Sequence, residues 1–173
     1  MAVTGNYTFS RYIGVDGVAA FSVINYLFPV VFMVFNAVIQ SAQPIVSYNY
    51  GLKQPARYIK AVRLALFSAI GISTVFVLVS TLFNRVIVSM FIPDLTNPAG
   101  ILAAEGLPYF SLDFIFFGIN VVAIGYYMSI GNVKRALIFT TIRGILPVIC
   151  FLILPVWFGT VGIWLSVPVA EIL

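Results

Sequence analysis

Histidine is absent from this sequence, cysteine occurs once, at Cys150, and nine basic and five acidic residues are all the charge that 173 residues carry. The missing histidines and the single thiol remove imidazole acid–base catalysis, disulfides and the usual His/Cys metal sets. No pair of carboxylates is visible to replace them, so an enzyme and a resident metal or cofactor are not expected. Charge this sparse, 8% against about 25% in an ordinary soluble domain, excludes a soluble globule. The excess of four positive charges does not point to nucleic acid, because basic loops of an inner-membrane protein give the same balance. Apolar and polar residues do not alternate in segments of about ten, which excludes a transmembrane β-barrel.

What is present is long apolar sequence: 62% of the residues are hydrophobic and the mean hydropathy is +1.11. The expected fold class is therefore an all-α, polytopic transmembrane helix bundle. Spans are read at residues 17–48, 57–93, 106–131 and 134–157, with a fifth from 161 to 173 and onward. The first is long enough for about 46 Å of helix, so it must tilt, kink near Pro29 or protrude. Residues 1–14 read as the end of a truncated helix, and the chain is expected to be cut at both ends. Cys150, inside an apolar run, reads as packing or lipid-facing.

Basic residues orient the spans. Lys53, Arg57, Lys60 and Arg63 fall between the first and second spans, and Lys134, Arg135 and Arg143 flank the link between the third and fourth. The intervening link, Pro93 to Glu105, holds Asp94 and Glu105 with no Lys or Arg. The positive-inside rule places loops 49–63 and 132–135 in the cytoplasm.

The first full span has no charge from Gly17 to Ser47, yet carries Asn25, Asn36, Gln40 and Gln43. With Pro29 and Ser47 they fall at steps of four, seven, four, three and four, which is one helix face. Asp113, Asn120 and Tyr127, at steps of seven, repeat the pattern in the third span. Such stripes line a water-filled cavity or act as interhelical glue. Ala61, Ala65 and Ala69 form a small-residue ridge for close helix packing. At the end of the first span Pro44 loosens the helix, Tyr48 and Tyr50 suit the interface, and Gly51 is expected to supply the left-handed residue after the helix. Asp113 is the acid well inside a span, and Arg85 lies at matched depth across the outer link. Either the two pair structurally, or Asp113 faces the cavity alone and carries a coupling ion.

The stretch Gln43-Pro44-Ile45-Val46-Ser47-Tyr48-Asn49-Tyr50-Gly51, with Gly14 to Ala20 before it and Tyr127 to Gly131, Arg143 to Pro147, Gly162-Ile163-Trp164 and Pro168 to Glu171 after it, resembles the multidrug and toxic compound extrusion (MATE) family. The motif residues are Pro44, Tyr48, Asn49 and Gly51. The resemblance implies a fold of twelve helices in two lobes of six, of which this chain looks like the second, its partner being the first lobe of the same transporter. It implies a proton- or sodium-coupled antiporter in the bacterial inner membrane that exports small organic, cationic compounds, with Asn25, Asn36, Gln40, Gln43, Asn120 and Tyr127 lining the cavity. The sequence departs from the family in lacking its first-helix carboxylate. The family's acid in the third full span falls nearer Ile119 or Asn120, so the resemblance does not itself assign an ion to Asp113. Two alternatives stand beside it: a lipid-linked oligosaccharide flippase of the same fold superfamily, and a small membrane scaffold.

Overall fold

The computed structural model describes residues 2–173, and among these there are helices and turns only. In chain order they are α1 (Ala2–Tyr12), α2 (Val15–Gly51), α3 (Pro55–Leu82), α4 (Asn84–Ser89), α5 (Pro98–Ser111), α6 (Asp113–Ser129) and α7 (Val133–Ile172). Three of them, α2, α3 and α7, are long and apolar enough to cross a membrane; α5 and α6, bent by 42° at Leu112, qualify as a further span together.

The element α7 is two arms. Its 40 residues would make about 60 Å of straight helix, twice the hydrocarbon thickness. Gly159 takes φ 58° and ψ −138°, a conformation closed to side-chain-bearing residues, and the chain folds back there. Two contacts establish the reversal. Gly162 lies against the Leu154 carbonyl, and Arg143 touches Glu171 at 2.6 Å although 28 residues separate them.

The core is built of aromatic rings meeting small residues. Phe9 stacks on Phe21 at 4.6 Å and meets Trp164 edge-on at 4.6 Å, tying α1 to both α2 and the second arm of α7. Deeper in, Phe117 of α6 takes Phe28 and Phe35 of α2 edge-on or tilted, at 4.8 and 5.8 Å. Backbones approach wherever glycine allows it. A Cβ on Gly125 would collide with Ile39, one on Gly118 would lie 2.9 Å from Phe35, and one on Gly106 would enter the Trp164 indole. The Ala65 and Ala69 part of the small-residue ridge is buried, and one turn on Ser73 bridges the Ala69 carbonyl and, at 2.9 Å, that of Phe114 on α6. Cys150 is buried and packs within the bundle.

Several expected boundaries move. The link 49–63 shrinks to Leu52–Gln54, because Pro55 opens α3 and places Arg57, Lys60 and Arg63 on its first turns. The second span divides at Phe83 into α3 and α4. The outer link ends at Asn97, whose side chain caps α5 by accepting from the Ala99 amide at 2.9 Å, so Glu105 stands on a helix. Within that link both the hydroxyl and the amide of Thr96 donate to Asp94, holding its carboxyl below the ordinary range. Gly51 is not the left-handed residue expected of it. Lys53, at φ 53°, fills that place: its amide donates to Tyr50 and that of Gln54 to Asn49, closing the helix end with a Schellman pattern. The same pattern at the end of α6 uses Gly131 at φ 74°.

Candidate functional site

The two polar stripes lie in different surroundings. On α2 the packed face runs through Phe21, Ile24, Val31, Phe35, Ile39, Ala42 and Val46. The amide stripe lies one residue on, about 100° round the helix on the flank of that face: Pro29, Gln40 and Ser47 are exposed, and Asn25, Asn36 and Gln43 half-buried. Asn25 donates to the Phe21 carbonyl of its own helix at 3.0 Å, and among the described residues Asn36, Gln40 and Gln43 make no side-chain hydrogen bond. The interhelical-glue reading therefore finds no bond within this chain. At the helix end Pro44 and Tyr48 are exposed, while Asn49 is buried, donating to the Ile45 carbonyl at 2.8 Å with its Oδ1 unpartnered.

On α6, Asn120 and Tyr127 of the stripe meet α7. Asn120 donates through Nδ2 to Glu171, to the backbone oxygen at 2.9 Å and to Oε2 at 2.7 Å. Tyr127 stacks on Phe139 at 5.5 Å and lies under the Arg135 guanidinium at 5.7 Å. Both were expected as cavity-lining; Asn120 does border a space of about 260 Å³, whereas Tyr127 is held by α7. That space is walled by Ile124, Phe139, Ile142 and Leu146 and floored by Arg143 and Glu171.

The centre of the arrangement is charged. Arg143 Nε donates to both Glu171 oxygens, at 2.6 and 2.9 Å, and the guanidinium carbon lies 4.2 Å from the centre of the Phe117 ring. The side chains are 21% and 5% exposed. A charge pair this far from solvent persists only because hydrogen bonds and the ring face complete its coordination, with Asn120 supplying a donor to the carboxylate and Phe117 a π surface to the cation. Asp113, in the first turn of α6 at the 42° bend, is wholly buried and neither carboxyl oxygen has a hydrogen-bond partner. Glu171 and Arg143 are the charged groups whose fields reach it.

The Arg85–Asp113 pair, one of the two readings of Asp113, is not formed. Arg85 is exposed and borders, with Glu105, a different space of about 450 Å³. The cause is the interruption at Phe83: Asn84 donates to the Ala104 carbonyl at 2.9 Å, fixing α4 against α5 so that Arg85 points outward. Nor does Arg143 serve as a flanking loop charge, since it stands ten residues into α7 and is committed to Glu171. That depth, about 15 Å along the helix, was the signal available in the sequence. The Glu171 contact had none, because it depends on the reversal at Gly159.

These features define an all-helical, multi-pass integral membrane protein with a charged cluster enclosed between its helices. The MatE family model matches residues 1–153, and the chain belongs to that family. The fold is similar to that of a solved protein described as a crystal structure of MATE in complex with MaL6, with a TM-score of 0.86 at 17% identity. That likeness covers 99% of this chain and 40% of the other, so the chain spans less than half the length of that protein. No match is found among the curated proteins.

Proposed function

We propose that the chain forms the second six-helix lobe of a cation-coupled multidrug efflux antiporter of the bacterial inner membrane. Its partner is a first lobe of the same transporter, its cargo is small organic cations, and the ends bearing Lys53 and Lys134 face the cytoplasm. The observation that carries this reading is the buried, unpartnered Asp113 on a helix packed against α2, whose flanking amides bond no other helix among the described residues. A carboxylate in an apolar interior that no neighbour neutralises needs a proton or a sodium ion to settle its charge, and a group that gains and loses one as the protein changes shape can couple a gradient to export. The amides Asn25, Asn36, Gln40 and Gln43 offer hydrogen bonds without fixed charge, which suits a cavity for varied organic cations.

The test is drug export by the full-length protein in cells, with Asp113→Asn as the variant. Normal membrane levels, retained drug binding and no export against a gradient are expected. Undiminished uphill export by that variant rejects the coupling role, and transfer of a lipid-linked oligosaccharide in place of drug export would assign the flippase activity instead.

A further inference from the structure

Two carboxylates, Asp113 and Glu171, are buried in this region, and one cation, Arg143, is held by Glu171 alone. With both ionised, the group formed with Arg143 carries a net charge of −1, and its positive member is committed to one side. The commitment is nevertheless partial in its hydrogen bonding. A single nitrogen, Nε, serves both Glu171 oxygens, and among the described residues the two Nη groups donate to no protein atom. Four N–H donors of a planar fork are therefore left for a second acceptor. The guanidinium lies over Phe117, which follows Asp113 by one turn of α6 and precedes Asn120, the Glu171 anchor, by three residues. It thus rests on a ring about 6 Å along the helix axis from the Asp113 position. A flat aromatic surface binds the cation face without fixing its in-plane direction, so the fork can turn on it without losing that contact.

We propose that Arg143 is a movable counter-charge, a positioning residue that pivots on Phe117 between Glu171 and Asp113. In the arrangement seen here Glu171, held by Asn120, keeps Arg143 and leaves Asp113 free to take a monovalent cation or proton. In the other arrangement Arg143 pairs with Asp113, which is then closed to ions, and Glu171 is the acid left to be neutralised. Glu171 thereby sets the availability of Asp113. The purpose of the exchange rests on the transport reading above, but the contacts can be tested without any transport.

Dicyclohexylcarbodiimide reacts with carboxyl groups in apolar sites that are not held as ion pairs. In the membrane-embedded full-length protein, mass spectrometry of the labelled peptides should find the reagent on Asp113 and not on Glu171. In Glu171→Gln, which keeps the shape and the Asn120 contact, Arg143 should move to Asp113 and labelling there should fall by about tenfold or more. The double variant Glu171→Gln/Arg143→Gln should restore it. A merely structural pair predicts the opposite for the single variant, since loosened packing exposes Asp113 and raises its labelling. Unchanged or increased labelling of Asp113 in Glu171→Gln overturns the proposal, as does wild-type labelling on Glu171 in place of Asp113, a result that needs no variant to fold. Absence of drug export by the unmodified full-length protein, with these labelling results intact, would reject the transport reading alone.

Discussion

Two polar regions of this protein use their side chains in opposite ways. The α2 face spreads four amides along a helix, each neutral, each outside the packed core, and one of them bonded to its own backbone. The α6–α7 cluster sets two acids, one arginine and one amide along the facing sides of two helices, and three of them, largely withdrawn from water, bond one another. The difference lies in what each region can tolerate. Neutral amides at a surface cost little and adapt to whatever is opposite. A buried charge must be answered by a particular partner in a particular place.

Arg143→Gln breaks the cluster at its strongest point and carries the largest expected effect. It leaves Asp113 and Glu171 without a counter-charge, and removing one partner of a buried pair costs about 3–5 kcal/mol. Thermal unfolding of the purified full-length protein in detergent should show a large drop in Tm. Glu171→Gln should cost clearly less, because Asp113 can take over the stranded arginine. Adding Asp113→Asn to it should then cost more than the separate effects predict. Equal losses for Arg143→Gln and Glu171→Gln would mean that Asp113 plays no part in holding the cation.

The two regions were also unequally legible in the sequence. Helical periodicity alone placed Asn25, Asn36, Gln40 and Gln43 on one face, because the stripe lies within one element and needs no tertiary information. The same rule put Asp113, Asn120 and Tyr127 together, yet could not say what they faced. The answer came from the other side of the Gly159 reversal, and a glycine that reverses a helix is not distinguished in sequence from one that merely interrupts it. Arg85 was matched to Asp113 by counting residues from a link. The count assumed unbroken helices, and the interruption at Phe83 defeats it. The helical class, the membrane setting and the family resemblance survive such errors because they rest on composition and on motifs spread along the chain.

A middle-sized effect should come from the contact that holds α6 against α2 between the two regions. A methyl on Gly125 would overlap Ile39, so Gly125→Ala should destabilise the bundle by about 1–3 kcal/mol, the usual cost of overpacking. Ile39→Ala added to it should return part of the loss by vacating the overlapped space. Gly71→Ala serves as the control, since nothing lies within 4 Å of its added Cβ, and should shift stability by less than about 0.5 kcal/mol. A Gly125→Ala protein as stable as Gly71→Ala would show that α2 and α6 are free to separate, which would also loosen the packing around Phe117.

The smallest stability effect is expected on the α2 stripe, and there the comparison is sharpest. Asn36, Gln40 and Gln43 make no side-chain hydrogen bond among the described residues, so truncating them leaves no stranded partner in this chain. Each should change stability by no more than about 0.5 kcal/mol, and the triple variant Asn36→Ala/Gln40→Ala/Gln43→Ala should melt close to the wild type. If the stripe lines the export path, the same variant should nevertheless lose drug export or change which drugs are exported, because the removed amides were among the donors and acceptors that a cargo meets. Stability and transport would then separate on α2, whereas Arg143→Gln damages both on α7. If the triple variant instead unfolds as readily as Gly125→Ala while export per folded molecule is unchanged, the amides are holding another helix in the full-length protein. The α2 face would then belong to the same kind of region as the cluster, and the distinction drawn between them would fail.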